Sequence, residues 1–177
     1  MENQRTQTKV AMNYGTLFGL GGVVISLLFY FMGTDIQSKL PTYITYTVLC
    51  IFIIIGIKSY RDEDLGGYIS YGKSLGTGTL ISLFGGIITA IYLVLFFKYI
   101  APDMIQRILD STQQKLIEEG MSDDKIEMAM SYTRKFMTPI WFFGLSLIGT
   151  AFMGFLFSLI ISIFMKKEES PFNSKIG

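Results

Sequence analysis

Four stretches of this chain contain no Asp, Glu, Lys or Arg: residues 10–32, 40–57, 74–97 and 137–165. A helix needs about 17 to 25 apolar residues to cross ~30 Å of hydrocarbon, so each run predicts a membrane-spanning helix. The second run is the shortest, and it extends through Ser59 and Tyr60 if Lys58 snorkels to the headgroups. The polar start "MENQRTQTKV" precedes an apolar run too long for a secretory signal core, and no small-residue cleavage site follows it. The first span is therefore read as retained.

Composition narrows the function classes. Of 177 residues, 50% are hydrophobic and 16% charged, against about a quarter charged in soluble domains. A net charge of +1, with basic residues scattered over several polar segments, argues against nucleic acid as a partner. One cysteine, Cys50, leaves no internal disulfide, and the lack of histidine removes the commonest metal ligand and general base. The spans hold none of the ionisable residues that mark coupled transport. The expectation is a protein without catalytic residues, cofactor or metal.

Orientation rests on the Lys and Arg flanks. Arg5, Lys9, Lys58, Arg61, Lys73, Lys166, Lys167 and Lys175 fall on one side, against Lys39 in the short loop on the other. Lys98, Arg134 and Lys135, near membrane ends on that second side, pull the other way. The balance puts both termini in the cytoplasm. Residues 1–100 then hold the first three spans, 101–136 an extracytoplasmic segment, 137–166 the fourth span and 167–177 a cytoplasmic tail.

The segment between spans three and four has its own period. Met104, Ile105, Ile108, Leu109, Leu116 and Ile117 recur at three- and four-residue steps, predicting an amphipathic helix over 102–119 with Pro102 in its first turn. Gly120 ends it. Ser122 is placed to N-cap a second helix, with Asp123 and Asp124 at its positive end. That helix carries one stripe of Ile126, Ala129, Met130 and Thr133 and another of Met128, Tyr132 and Phe136. One stripe meets the partner helix, and Met128, Tyr132 and Phe136 form the candidate partner face. The fold class is thus an all-α membrane protein: four transmembrane helices with an amphipathic helical hairpin inserted between helices three and four.

Small residues mark the packing faces. Helix three presents Ser74, Gly78, Ser82, Gly86 and Ala90; the last span presents Ser146, Thr150, Gly154, Ser158 and Ser162; helix one presents Gly15, Gly19, Gly22 and Ser26. Such rows let backbones approach closely where lipid supplies no hydrophobic drive. They hold a bundle together or form a seam to a second copy or another protein. Tyr14-Gly15, Gly19 and Gly21 also match Tyr71-Gly72, Gly76 and Gly78. The match suggests two parallel two-helix repeats, although a glycine-rich chain also produces such agreement by chance.

Three motifs invite chemistry. "GYISYGKS" at 67–74 fits the phosphate-cradling P-loop pattern, but no strand precedes it, "RDED" would repel a triphosphate, and a membrane span follows. It reads as an interfacial loop with Lys73 at the start of helix three, and no nucleotide is expected. "EEGMSDD" places Glu118, Glu119, Asp123 and Asp124 at the hairpin turn without a calcium-loop pattern. "RDED" at 61–64 reads as a soluble turn between helices. Asn13, Thr16, Thr45, Tyr46, Thr47, Thr77, Thr79 and Thr89 could line a polar path, or bond to their own helices.

The motifs "YGTLFGLGGVVISLLFYF", "GGYISYGKSLGTGTLISLFGGIITAIY" and "EEGMSDDKIEMAM" give the chain a family likeness. It resembles a bacterial family of small, uncharacterised four-helix integral membrane proteins, a domain-of-unknown-function family. The resemblance implies an inner-membrane location, and an uncharged residue such as glutamine tolerated at position 73. It brings no activity or cofactor.

The residues point to a non-enzymatic scaffold or accessory subunit. Its partners are the lipid bilayer and either another membrane or periplasmic protein or a second copy. The alternative is a small channel or facilitator with a hydroxyl-lined path. One consequence is directly measurable: Lys73→Gln leaves folding intact, and equilibrium binding detects no ATP or GTP on either protein. Lys73-dependent nucleotide binding would overturn that reading.

Overall fold

A computed structural model describes residues 5–35 and 38–167; the tail read beyond Lys167, with Lys175, lies outside them. The named elements are all helical: α1 (Gln7–Phe31), α2 (Leu40–Ser59), α3 (Tyr71–Leu95), α4 (Met104–Glu118), α5 (Asp123–Phe136) and α6 (Pro139–Met165). Two π-helical turns, Tyr60–Asp64 and Phe96–Ile100, prolong α2 and α3. Among the described residues, four segments are long and apolar enough to cross a membrane: Gln7–Phe31, Leu40–Asp64, Tyr71–Ile100 and Ile140–Met165. Helix is the form such segments take in lipid, because it satisfies the backbone polar groups internally.

The chain forms two compact units, one combining the segment up to Thr89 with that from Leu147 onward, the other Ala90–Ser146. In the first, α1, α2 and the adjoining parts of α3 and α6 pack side by side. The contacts fix their directions. Gly15 of α1 meets Ile81, Phe84 and Gly85 of α3, and Gly19 meets Gly85 and Ile88, so both helices run the same way. Against α6, Gly78 meets Ser158, Ser82 meets Gly154 and Gly86 meets Thr150, so α3 and α6 are antiparallel. A methyl group at Gly15 would fall 2.6 Å from the Ile81 carbonyl oxygen and 2.7 Å from the Phe84 Cβ. Only backbone without side chains allows this approach.

Val10, Ala11, Phe18, Leu49, Ile53, Ile57 and Ile81 fill the remaining interior. The opposite side of α1 exposes Leu17, Leu20, Val24 and Leu28. Leu156, Ile160, Ile163 and Phe164 do the same on α6. Contiguous apolar surface on this scale marks contact with lipid.

The second unit holds the end of α3, the π-helical turn after it, α4, α5 and the first turns of α6. α4 and α5 pack through Leu109, Ile126 and Met130, with Ile105, Leu116 and Met137 around them. α4 starts at Met104, two residues after the expected Pro102, because the preceding π-helical turn closes on Ala101 and leaves Pro102 and Asp103 in a tight turn. At its other end Gly120 has φ +73°, and the Gly120 and Met121 N–H groups donate to the Ile117 and Leu116 carbonyls. These bonds are the glycine-terminated Schellman stop. Ser122 occupies the N-cap position of α5, but its carbonyl rather than its hydroxyl accepts the helix's first bonds, from Lys125 and Ile126.

The glycines of α1 supply a test with an internal control. Gly15→Ala forces a methyl into the α3 backbone and is expected to lower stability by about 1–3 kcal/mol, the usual cost of overpacking. A Cβ at Gly21 meets nothing within 4 Å, so Gly21→Ala should stay within about 0.5 kcal/mol of the parent. Thermal unfolding of both variants in the same detergent reads the difference.

Candidate functional site

Four helix ends of the first unit meet at a polar cap: the start of α1, the end of α2, the start of α3 and the end of α6. Arg5 organises it. Its backbone N–H donates to Asp64 Oδ1 at 2.7 Å. Its guanidinium grips the same carboxylate through Nε at 3.1 Å and Nη2 at 2.8 Å, and Nη2 also reaches Ser59 Oγ at 3.0 Å and Glu63 Oε2 at 2.6 Å. The Asp64 side chain is only 5% exposed. Hydrogen bonding to Asp64 pushes Arg5 above its ordinary pKa while burial pulls the other way, so the guanidinium stays charged.

The π-helical turn makes this grip possible. Residues four and five apart stack in such a wider turn, which brings Ser59, Glu63 and Asp64 together on the side facing Arg5. "RDED" is accordingly no soluble turn: Arg61, Asp62 and Glu63 keep contact with water, while Asp64 is buried and paired. Its usefulness comes from the cation supplied 59 positions earlier in the chain.

Other bonds close the cap. Ile69 and Lys167 exchange two backbone hydrogen bonds of 2.9 Å each, and Lys167 Nζ lies over the Tyr68 ring, 5.5 Å from its centroid. The Tyr71 hydroxyl donates to the Leu159 carbonyl, and Arg61 to that of Met165. Gln7 Nε2 donates to the Lys73 carbonyl at 3.1 Å and to Thr77 Oγ1 at 3.2 Å. In "GYISYGKS", Ser70 caps α3: its hydroxyl accepts from the Lys73 N–H and its carbonyl from the Ser74 N–H. A P-loop turns such N–H groups toward phosphate, whereas these are bonded within the chain.

Beneath the cap, Ser74, Thr77, Ser82, Ser158 and Ser162 are fully buried. Thr77 and Ser82 bond back to carbonyls of α3. The hydroxyls of Ser74, Ser158 and Ser162 have no partner among the described residues. Of the other groups read as a polar path, Thr45, Thr47, Thr79 and Thr89 bond to carbonyls of their own helices. Asn13 and Thr16 lie exposed on α1, and the Tyr46 ring packs edge-on against Phe157.

The small-residue rows show which positions approach one another. Gly15 and Gly19 pack on α3, Gly22 touches Thr89, and Gly78, Ser82 and Gly86 meet Ser158, Gly154 and Thr150. Ala90 is buried and Ser146 half-buried in the second unit. Gly85 belongs to no row read from the sequence, yet α1 packs directly on it: a Cβ there would meet the Phe18 ring and, at 2.9 Å, the Gly15 carbonyl. The glycines of the apparent repeat have unlike surroundings: Gly15 and Gly19 are crowded, whereas Gly72 meets nothing and Gly76 meets only Gln7.

In the second unit, Met128, Tyr132 and Phe136 are 63%, 57% and 53% exposed, on the side of α5 away from Ile126 and Met130. Phe136 packs edge-on against Trp141 with ring centroids 4.9 Å apart. The four carboxylates of "EEGMSDD" all face outward. Between α4 and α5 runs an open groove of about 530 Å³ whose lining mixes Asp123, Glu127 and Arg134 with Ile117 and Met130.

Apolar helices around a packed interior, closed at one end by an ion-paired cap, define a multi-pass helical membrane protein. The chain belongs to the family described as Protein of unknown function (DUF4199), which matches residues 13–167. The likeness carried by the glycine and aromatic motifs is thus borne out. No curated protein and no solved structure matches the chain significantly.

Removing the Arg5 side chain strands a buried carboxylate. Arg5→Ala is expected to cost about 3–5 kcal/mol, the usual penalty for breaking a buried pair on one side. Arg5→Met combined with Asp64→Leu should recover most of that loss, since no charge is left uncompensated. Denaturant unfolding of the parent, Arg5→Met, Asp64→Leu and the double variant completes the cycle.

Proposed function

We propose that this is a non-enzymatic multi-pass protein of the bacterial inner membrane, with both termini cytoplasmic. It acts as a scaffold or accessory subunit, and the α4–α5 hairpin is its contact element. The observation that carries this reading is the second apolar stripe of α5: Met128, Tyr132 and Phe136 stay exposed although α5 already has a packed face toward α4. A helix with two apolar faces has one more than its own fold uses. The orientation follows the basic residues of the capped end, where Arg5, Arg61, Lys73 and Lys167 gather around the helix termini. We read the two helix pairs as a parallel repeat on the strength of the Y-G-x-x-x-G-x-G pattern. The helix-packing residues and the absence of a nucleotide site belong to the same reading.

Replacing residues 102–136 by a short Gly/Ser linker, followed by crosslinking in native membranes and identification of attached proteins and lipids, tests the proposal. Loss of specific attachments with the hairpin is the expected result. Identical attachments with and without it would sink the contact role.

A second reading, a small facilitator, is favoured by the buried hydroxyls of Ser74, Ser158 and Ser162, which have no partner among the described residues. Weighing against it, Gly78 and Gly154 press directly on Ser158 and Ser82, leaving no space for a methyl group, let alone a solute.

A further inference from the structure

We infer that the exposed stripe of α5 docks on the bilayer itself, so that α5 lies along the lipid headgroup layer with Met128, Tyr132 and Phe136 facing the acyl boundary. The inference deepens the proposed contact role by naming its occupant, and it rests on the hairpin standing outside the hydrocarbon.

Three observations carry it. The first is continuity with the start of a membrane span. Phe136, the last residue of α5, packs against Trp141 in the first turns of α6. Trp141 is half exposed at the start of a membrane span, flanked by the exposed Ile140 and Leu145. Tryptophan at that position sits at headgroup level, and the ring contact brings the end of α5 to the same depth.

The second is the spacing. Met128, Tyr132 and Phe136 stand four residues apart, so they form one continuous strip about 12 Å long at 1.5 Å per residue. A helix standing upright would lift Met128 clear of a headgroup layer only about 5–7 Å thick, leaving a bare methionine and tyrosine in water. A helix lying flat keeps all three at the boundary.

The third is the chemistry beside the strip. Helical spacing puts Lys135 beside the strip and Lys125 in line with it one turn before Met128, and the Lys135 ammonium lies 5.6 Å from the centre of the Tyr132 ring. Long cationic side chains beside an aromatic and apolar face suit an interfacial helix, since their stems lie on lipid while the charges reach phosphate. Asp124 also flanks the strip at its far end, nearest the turn. A protein partner would need no such arrangement of an apolar strip running directly onto the tryptophan at the start of a membrane span.

Trp141 is the only tryptophan of the chain, which makes a clean optical test possible. The full-length protein carrying Trp141→Phe and Met128→Trp is reconstituted into phosphatidylcholine vesicles with chains brominated near the ester end, and separately titrated with iodide. A second reporter, Trp141→Phe with Tyr132→Trp, guards against one substitution failing to fold. Both reporters should lose emission to brominated lipid to an extent similar to native Trp141, and both should be shielded from iodide. Iodide quenching without lipid quenching means the strip stands in water, which overturns the inference. Protection from both quenchers means that a protein or second copy covers it; that also overturns lipid docking but leaves the contact role of the hairpin standing.

Discussion

The close approach of α3 to two neighbours is the contact on which the bundle depends. In water a helix is held by burying apolar area; in lipid that drive is absent, and what remains is van der Waals contact and the few hydrogen bonds that backbones and hydroxyls can make. α3 meets α1 through Gly15, Gly19 and Gly85, and α6 through Gly78, Ser82, Gly86, Gly154 and Ser158. With small residues on two sides it becomes the middle helix. The large side chains of the neighbours are left to face outward, as Leu17, Leu20 and Val24 do on α1. The burial of the interior and the apolar exterior are thus two results of one distribution of side-chain size.

Close packing does not by itself hold the helix ends, and the polar cap does that. Arg5 sits just before α1, where the chain leaves the membrane, and draws the end of α2 toward the start of α1. The exchange between Ile69 and Lys167 joins the start of α3 to the end of α6. The two ties differ in kind. The first is a charged pair whose partners would be costly to separate, and the second is a neutral pair of backbone bonds at the edge of the solvent.

The sequence makes the rows of small residues legible because a step of four is a local property. It does not reveal which rows meet. Gly85 shows the difficulty: it falls outside every row, yet it receives α1, because α3 needs a second close face that only the partner's position defines. The Arg5–Asp64 pair was hidden for another reason. Several cations, among them Lys9, Lys58, Arg61 and Lys73, stand near the same membrane end, and none is singled out by spacing. An ordinary helical turn also gives no hint that a π-helical turn will bring Asp64 alongside Ser59. The turn at Gly120 was readable, since a left-handed residue after a helix has few candidates. Ser122 was readable as a position but not as a side-chain bond, because whether its hydroxyl turns to the first N–H groups of the helix depends on side-chain rotation that sequence does not encode.

The pairing of α3 with α6 alternates: glycine faces serine at 78 and 158, serine faces glycine at 82 and 154, and glycine faces threonine at 86 and 150. Sliding α6 along α3 by one turn would set Ser82 against Ser158 and Gly86 against Gly154. One level would then be overfilled and the next left hollow. The alternation therefore acts as a notched key: two smooth, repetitive surfaces that could otherwise slip by a turn are given a single depth of insertion.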